Sequence, residues 1–152
     1  MNTIPGGYET LLGRPLYAHL ATVRPDGTVQ VSPMWFEWDG EVLRLNTRPQ
    51  QQRYRNMKAH PQVALSIIDP DNPFRYLEVR GIVEEFIPDP TGEHYMRLNA
   101  VYDGPRTEPP RDRVTFIVRP TFFSTIAVQR QRCARAHGPM RTEPIAESLI
   151  CG

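Results

Sequence analysis

The sequence predicts an α+β protein: a small, mostly antiparallel β-barrel with short helices inserted between its strands. Three observations carry this expectation. Short β-compatible runs recur along the chain, turn signals such as Arg24-Pro25-Asp26-Gly27 and Asp39-Gly40 separate them, and only a few segments carry helical spacing.

Residues 5–13 predict a short opening helix, and the run from Leu16 to Val23 predicts the first strand, closed by the turn at Arg24-Pro25-Asp26-Gly27. The next strand runs from Val29 to Trp38. Ser32-Pro33 interrupts it, and because Pro33 has no N–H to give a ladder, the strand must bulge or lie on an edge there, leaving backbone groups of residues 32–35 for another partner. Asp39-Gly40 then makes a hairpin to a third strand, Glu41 to Thr47. A helix from about Gln50 to Ala59 is bounded by Pro49 and by His60-Pro61. Strands resume with "QVALSII", the turn "DPDNP" and "RYLEVRGIVEEF", in which Leu77, Val79, Gly81 and Val83 share one face and Tyr76, Glu78, Arg80 and Ile82 the other. Tyr95, Leu98 and Tyr102 recur at helical spacing after Pro90, placed as the first helical residue. "RVTFIVRP" and "TFFSTI" supply the last of the β-structure, and a six-stranded antiparallel barrel is the expected architecture.

Composition bounds the function. At 152 residues the chain is most simply one domain, and 18 Lys+Arg against 17 Asp+Glu leave a net charge of +1, which argues against coating nucleic acid by bulk charge. No apolar run approaches the roughly 18 residues of a membrane span, and the start lacks a signal-peptide pattern, so no membrane partner and a cytoplasmic location are expected. Cys133 and Cys151 lie outside any metal spacing and read as free thiols. Residues 1–127 are expected to form the barrel domain and 128–152 a C-terminal extension without clear periodicity.

No GxSxG, P-loop or GxGxxG is present, and "DPDNP" lacks the later ligands of a calcium loop, so no catalytic side chain and no metal are assigned. His19, within the first strand, reads as a histidine satisfied inside the barrel wall rather than a haem ligand. The segment from Asn46 to Lys58 stands out. It places Arg48, Arg53, Arg55 and Lys58 at a strand-to-helix junction, where free N–H groups and the positive end of the helix dipole favour phosphate. The alternative is a solvated helix face, since Arg and Lys are good helix formers.

These runs, "HLATVRPDGTVQVSPMWFEWDGEVLRLNT" and "RNMKAHPQVALSIIDPDNPFRYLEVRGIVEE", resemble the pyridoxamine 5′-phosphate oxidase-like split β-barrel family, also called the FMN-binding split barrel, and within it the actinobacterial branch that uses the deazaflavin F420. The resemblance spans about Leu16 to Pro120. It implies a homodimer with two cofactor sites between subunits. Ser32, Pro33, Met34 and Trp35 would contact the ring, Asn46, Thr47, Arg48, Gln51 and Arg53 the phosphate, and Pro73 and Phe74 would enter from the other subunit. One departure stands out. Where the family commonly reads "ARGRAK", this chain has "RPQQQR", so Arg53 takes the lysine position and Gln51 replaces an arginine. Arg48, where the family has a small residue, offers a substitute charge. The implied activity is hydride transfer between F420 and a conjugated small-molecule acceptor, with Tyr76 or His19 as proton donors should either line the pocket. An FMN-dependent oxidase or reductase, or a non-catalytic flavin, F420 or haem binder, is the alternative.

Overall fold

A computed structural model describes residues 3–125. Its elements run α1 (Glu9–Leu12), β1 (Ala18–Val23), β2 (Val29–Met34), β3 (Phe36–Trp38), β4 (Leu43–Thr47), α2 (Gln52–Ala59), β5 (Gln62–Asp69), β6 (Asn72–Asp89), α3 (Glu93–Val101) and β7 (Arg113–Ser124). The strands form one antiparallel sheet in the order β2-β1-β5-β6-β7-β4-β3. The two outer strands, β2 and β3, are consecutive in the chain. Only Trp35 separates them, so the sheet curls until its edges meet at that residue, which is the split-barrel arrangement.

Seven strands are seen where a six-stranded barrel is expected, and two of the strand boundaries differ from those read in the sequence. The Val29–Trp38 run is divided at Trp35, two residues beyond the expected interruption, because the β1 ladder ends with Ala18 opposite Met34 and the β4 ladder begins with Phe36 opposite Leu45. Pro33 lies opposite His19 on the edge strand, the position open to a residue without an N–H. The two closing strands are one. Pro120 sits within β7 at a register shift opposite Arg80 and Gly81, so the strand continues through it. Gly81 is required there, since a Cβ would come within 2.7 Å of the Arg119 carbonyl and of Val118 Cγ1. At α3 the helix begins after Gly92, whose φ of 70° makes a left-handed entry, and Pro90 lies in the preceding turn rather than in the helix.

The core follows the strand alternation. Leu20, Leu45, Leu65, Ile67, Leu77, Val79, Phe116 and Val118 are almost fully enclosed, with Leu11 and Leu12 of α1 and Met57 of α2 packed among them. The expected face of β6, Leu77, Val79, Gly81 and Val83, is the buried one. The same alternation puts His19 outside, between buried Ala18 and Leu20, and exposed rather than satisfied within the wall. The aspartates of "DPDNP" hold the N-terminal segment. Asp69 pairs with both Arg14 and Arg75, and Asp71 with Arg14. Arg75 first, then a backbone N–H and Arg14, keep the Asp69 carboxyl below its ordinary range.

α2 is anchored by Asn56, which is fully buried and donates from Nδ2 to Thr22 Oγ1 at 2.9 Å and to Gln30 Oε1 at 3.0 Å, while its own oxygen accepts from Gln52. This polar cluster around the buried Asn56 fixes the rotation of the helix against β1 and β2. One consequence is that the basic residues of α2 separate. Lys58 lies over the Phe86 ring at 4.3 Å and Arg55 bonds Gln52, whereas Arg53 turns toward β2.

Candidate active site: an arginine-lined cleft at the split

A cleft of about 270 Å³ opens where β2 gives way to β3, lined by Tyr17, Pro33, Met34, Trp35, Asn46, Gln51, Arg53, Tyr95, Leu98 and Arg113. Six of the eleven expected site residues therefore line one cavity. Ser32 stands beside it, its hydroxyl accepting from Arg53 Nη1 at 3.0 Å. Thr47 and Arg48 do not line it but connect to it through Gln51. Thr47 Oγ1 donates to Gln51 Oε1 at 2.8 Å and the Arg48 amide donates to the same oxygen at 3.3 Å. Pro73 and Phe74 open β6 at the far turn, are exposed, and do not line this cleft. Neither do Tyr76 and His19, which share a groove on the outer sheet face with Val31 and Glu78.

Gln51 explains the departure from "ARGRAK". Its side-chain oxygen holds the turn at residues 47–48 together, which leaves only the amide nitrogen for the cavity. Arg113 supplies the charge that Gln51 lacks. It was not singled out in the sequence because it opens an apolar strand, yet the β4–β7 register, with Thr47 opposite Val114 and Asn46 opposite Thr115, puts it next to the junction. Its Nε donates to Asn46 Oδ1 at 2.5 Å and its guanidinium lies 4.4 Å from the Tyr95 ring centre. The Arg106 guanidinium lies 6.0 Å from the centre of the same ring.

Neither Arg53 nor Arg113 has a carboxylate within ion-pair distance among the described residues. Burial lowers the Arg53 guanidinium from its ordinary value. Burial likewise pulls Arg113 down to about 10; Tyr95 opposes this, while Arg48, Arg106 and Arg53 add repulsion. Half-buried cations that repel one another and have no counter-charge are held at an energetic cost. An anion entering the cleft would relieve it.

Aromatic side chains form the other wall. Trp35 stacks on Tyr102 with ring centres 5.4 Å apart and planes 19° from parallel, and Tyr95 tilts against it at 5.8 Å. Gly104 allows this packing, since a Cβ there would meet Trp35 Cη2 at 2.7 Å and Asn99 Oδ1 closer still. A flat ring facing Trp35 and the edge of β2 would have an apolar surface on one side and backbone groups on another. Cations lie toward α2. The residues present thus fit a planar ligand carrying an acidic group, and β2, hydrogen-bonded only to β1, has backbone groups free for it.

The profile of the pyridoxamine 5′-phosphate oxidase family matches residues 4–125. A solved structure of an F420 reductase is 66% identical, covers 80% of this chain and 98% of its own, and superposes with a TM-score of 0.78. A putative pyridoxamine 5′-phosphate oxidase from Listeria innocua is 20% identical over 76% of this chain and 92% of its own, with a TM-score of 0.60. HutZ, the haem storage protein of Vibrio cholerae, is 18% identical over 77% of this chain and 90% of its own, with a TM-score of 0.56. The last two share the fold. No curated protein matches. With a split barrel, a cleft at its seam and a family profile that runs through nearly every described residue, the chain belongs to the pyridoxamine 5′-phosphate oxidase family.

Proposed function

We propose that this protein is an F420-dependent oxidoreductase that transfers a hydride between the deazaflavin and a conjugated small-molecule acceptor. The observation that carries the reading is the pair Arg53 and Arg113, uncompensated cations facing one cleft beside the free edge of β2. The 66% identity to a structure named F420 reductase supports the choice of cofactor. Bound F420 would supply the hydride chemistry. Arg53, Arg113 and the Gln51 amide hold its phosphate, Pro33, Met34 and Trp35 orient its ring, and the stacked aromatic wall keeps water from that face. No side chain serves as nucleophile.

FMN is the second reading. Arg48 and Arg106 stand near enough to Arg113 to depress its pKa, so the site carries more positive charge than one phosphate needs. F420 continues past its phosphate into a carboxylate-bearing tail, whereas FMN ends there, which favours F420. A homodimer belongs to the same proposal: Val29, Val31 and Phe74 are 66%, 61% and 74% exposed, and the apolar outer face of β2, β1, β5 and β6 is suited to a second copy whose Pro73 and Phe74 would complete the site. Among the described residues no helix is long and apolar enough to cross a membrane, and the cytoplasm is the proposed location.

Titration of the purified protein with F420 and with FMN, followed by fluorescence, tests the cofactor. Tighter FMN binding moves the reading to the flavin alternative. Turnover of reduced F420 against a panel of unsaturated acceptors then separates an enzyme from a carrier, with binding and no turnover identifying the latter.

A further inference from the structure

From Arg113 and Asn46 in the cleft a chain of polar groups runs on into the buried residues Asp89, Thr115 and His94. Arg113 Nε donates to Asn46 Oδ1. Asn46 Nδ2 spends its two hydrogens on Asp89 Oδ2 at 3.1 Å and Thr115 Oγ1 at 3.3 Å. Thr115 Oγ1 lies 2.7 Å from His94 Nδ1. His94 Nε2 faces Glu37 Oε2 at 3.2 Å, near enough for attraction but misaligned for a hydrogen bond; neither atom makes another hydrogen bond, and Arg97 pairs with the same Glu37 oxygen at 3.7 Å. Asn46, Asp89, Thr115 and His94 are all buried.

Counting hydrogens assigns each role. Asn46 must turn its nitrogen to the Asp89 carboxylate, because its oxygen would be repelled there. The second Asn46 N–H then needs Thr115 Oγ1 as an acceptor, so the Thr115 hydrogen has to point elsewhere. His94 Nδ1 receives it. That requires the tautomer protonated on Nε2, which is the one the Glu37 carboxylate favours. With every group assigned, Asn46 Oδ1 can only face Arg113.

We infer that His94 is a positioning residue for the cleft: by taking the Thr115 hydrogen it fixes Asn46, and Asn46 fixes the direction in which Arg113 presents its guanidinium to an anion. The inference rests on the reading of the cleft as an anion site, but it concerns His94 and Thr115, which do not line that cleft. His94 touches no ligand in this scheme. Replacing it frees the Thr115 hydroxyl to turn its hydrogen toward Asn46 Nδ2, which loosens the amide and the arginine beyond it.

The test uses the full chain and two readouts. In His94→Leu, hydrogen exchange of the Arg113 Nε–H, followed by nitrogen-15 NMR without ligand, should quicken by about tenfold or more, because that hydrogen bond is no longer held. Affinity for F420 or FMN should fall by about threefold to tenfold. His94→Asn, which returns an acceptor oxygen near Nδ1, should recover most of both. In an Arg113→Ala background His94→Leu should cost no further affinity. Unchanged exchange at Arg113 in a folded His94→Leu protein overturns the inference, as does an equal affinity loss with and without Arg113. If His94→Leu does not fold, the near-isosteric Thr115→Val decides by the same exchange measurement. Should neither F420 nor FMN bind the unaltered protein, the cofactor reading fails while the exchange readout still decides the role of His94.

Discussion

The Tyr102 hydroxyl accepts a hydrogen bond from the Phe36 amide, 66 residues away in sequence, at 3.2 Å. The same oxygen is within 3.0 Å of the Leu16 and Phe36 carbonyls, one of which takes its hydrogen. It therefore ties the seam where β2 passes into β3 to the segment before β1. Tyr102→Phe keeps the stacking on Trp35 but leaves these groups unmatched, and should destabilise the protein by about 1–3 kcal/mol in urea titration. Burial first pushes the phenol up to about 12, against an ordinary value near 10. A raised folded pKa means this stabilisation is full below about pH 10 and is lost as pH rises toward 12. A Tyr102→Phe protein should lack that alkaline loss.

Arg53 opposes stability and favours binding. Arg53→Met should lower cofactor affinity about tenfold to a hundredfold, the effect of one charge-assisted hydrogen bond. Thermal unfolding of the ligand-free protein should not fall, because a half-buried cation without a counter-charge has been removed. Unaltered affinity would return the junction to a solvated helix face.

At Gln51 the two functions can be separated. Gln51→Glu keeps an oxygen for the buried Thr47 hydroxyl, so stability should hold while a new negative charge in the cleft weakens anion binding by about tenfold or more. Gln51→Arg restores the family's usual residue but removes that acceptor, and should lose about 1–3 kcal/mol of stability. Paired calorimetry and denaturation curves measure both.

His94 should make stability depend on pH on the acid side. Burial lowers its pKa more than Glu37 and Asp89 raise it, with Arg97 adding to the lowering. Because the folded protein favours the neutral ring, unfolded chains bind more protons below about pH 6.5, so this stabilisation is present above that pH and declines below it. His94→Asn should flatten the decline in a midpoint-versus-pH series between about pH 4 and 7; an identical slope would count against the assignment.

Gly104→Ala tests the aromatic wall. Its Cβ would overlap Asn99 and Trp35, so the Asn99 bonds to the Gly104 and Arg106 carbonyls must shift. A change in tryptophan emission with a loss of about 1–3 kcal/mol is expected, whereas unchanged emission would mean the loop absorbs the methyl elsewhere.

Local chemistry made much of this fold legible. Pro33 signalled an edge, Asp39-Gly40 a hairpin, and the alternation through Leu77, Val79, Gly81 and Val83 a buried face, because each depends on neighbours in the chain. The junction at Asn46 to Arg53 was also readable, and Asn46, Gln51 and Arg53 do reach the cleft. Tertiary structure decided the rest. Only sheet closure sets the break at Trp35 rather than at Ser32-Pro33, since it is fixed by where the β1 and β4 ladders end. Arg113 looks like an ordinary strand opener until β7 pairs with β4 and sets it beside Asn46. His94, Thr115 and Glu37 come from three separate elements and acquire their roles only when burial removes water as the competing partner. Sequence determines which groups are available and the period on which they repeat; which of them meet, and which cation is left without a counter-charge, depends on contacts between distant strands that no local pattern encodes.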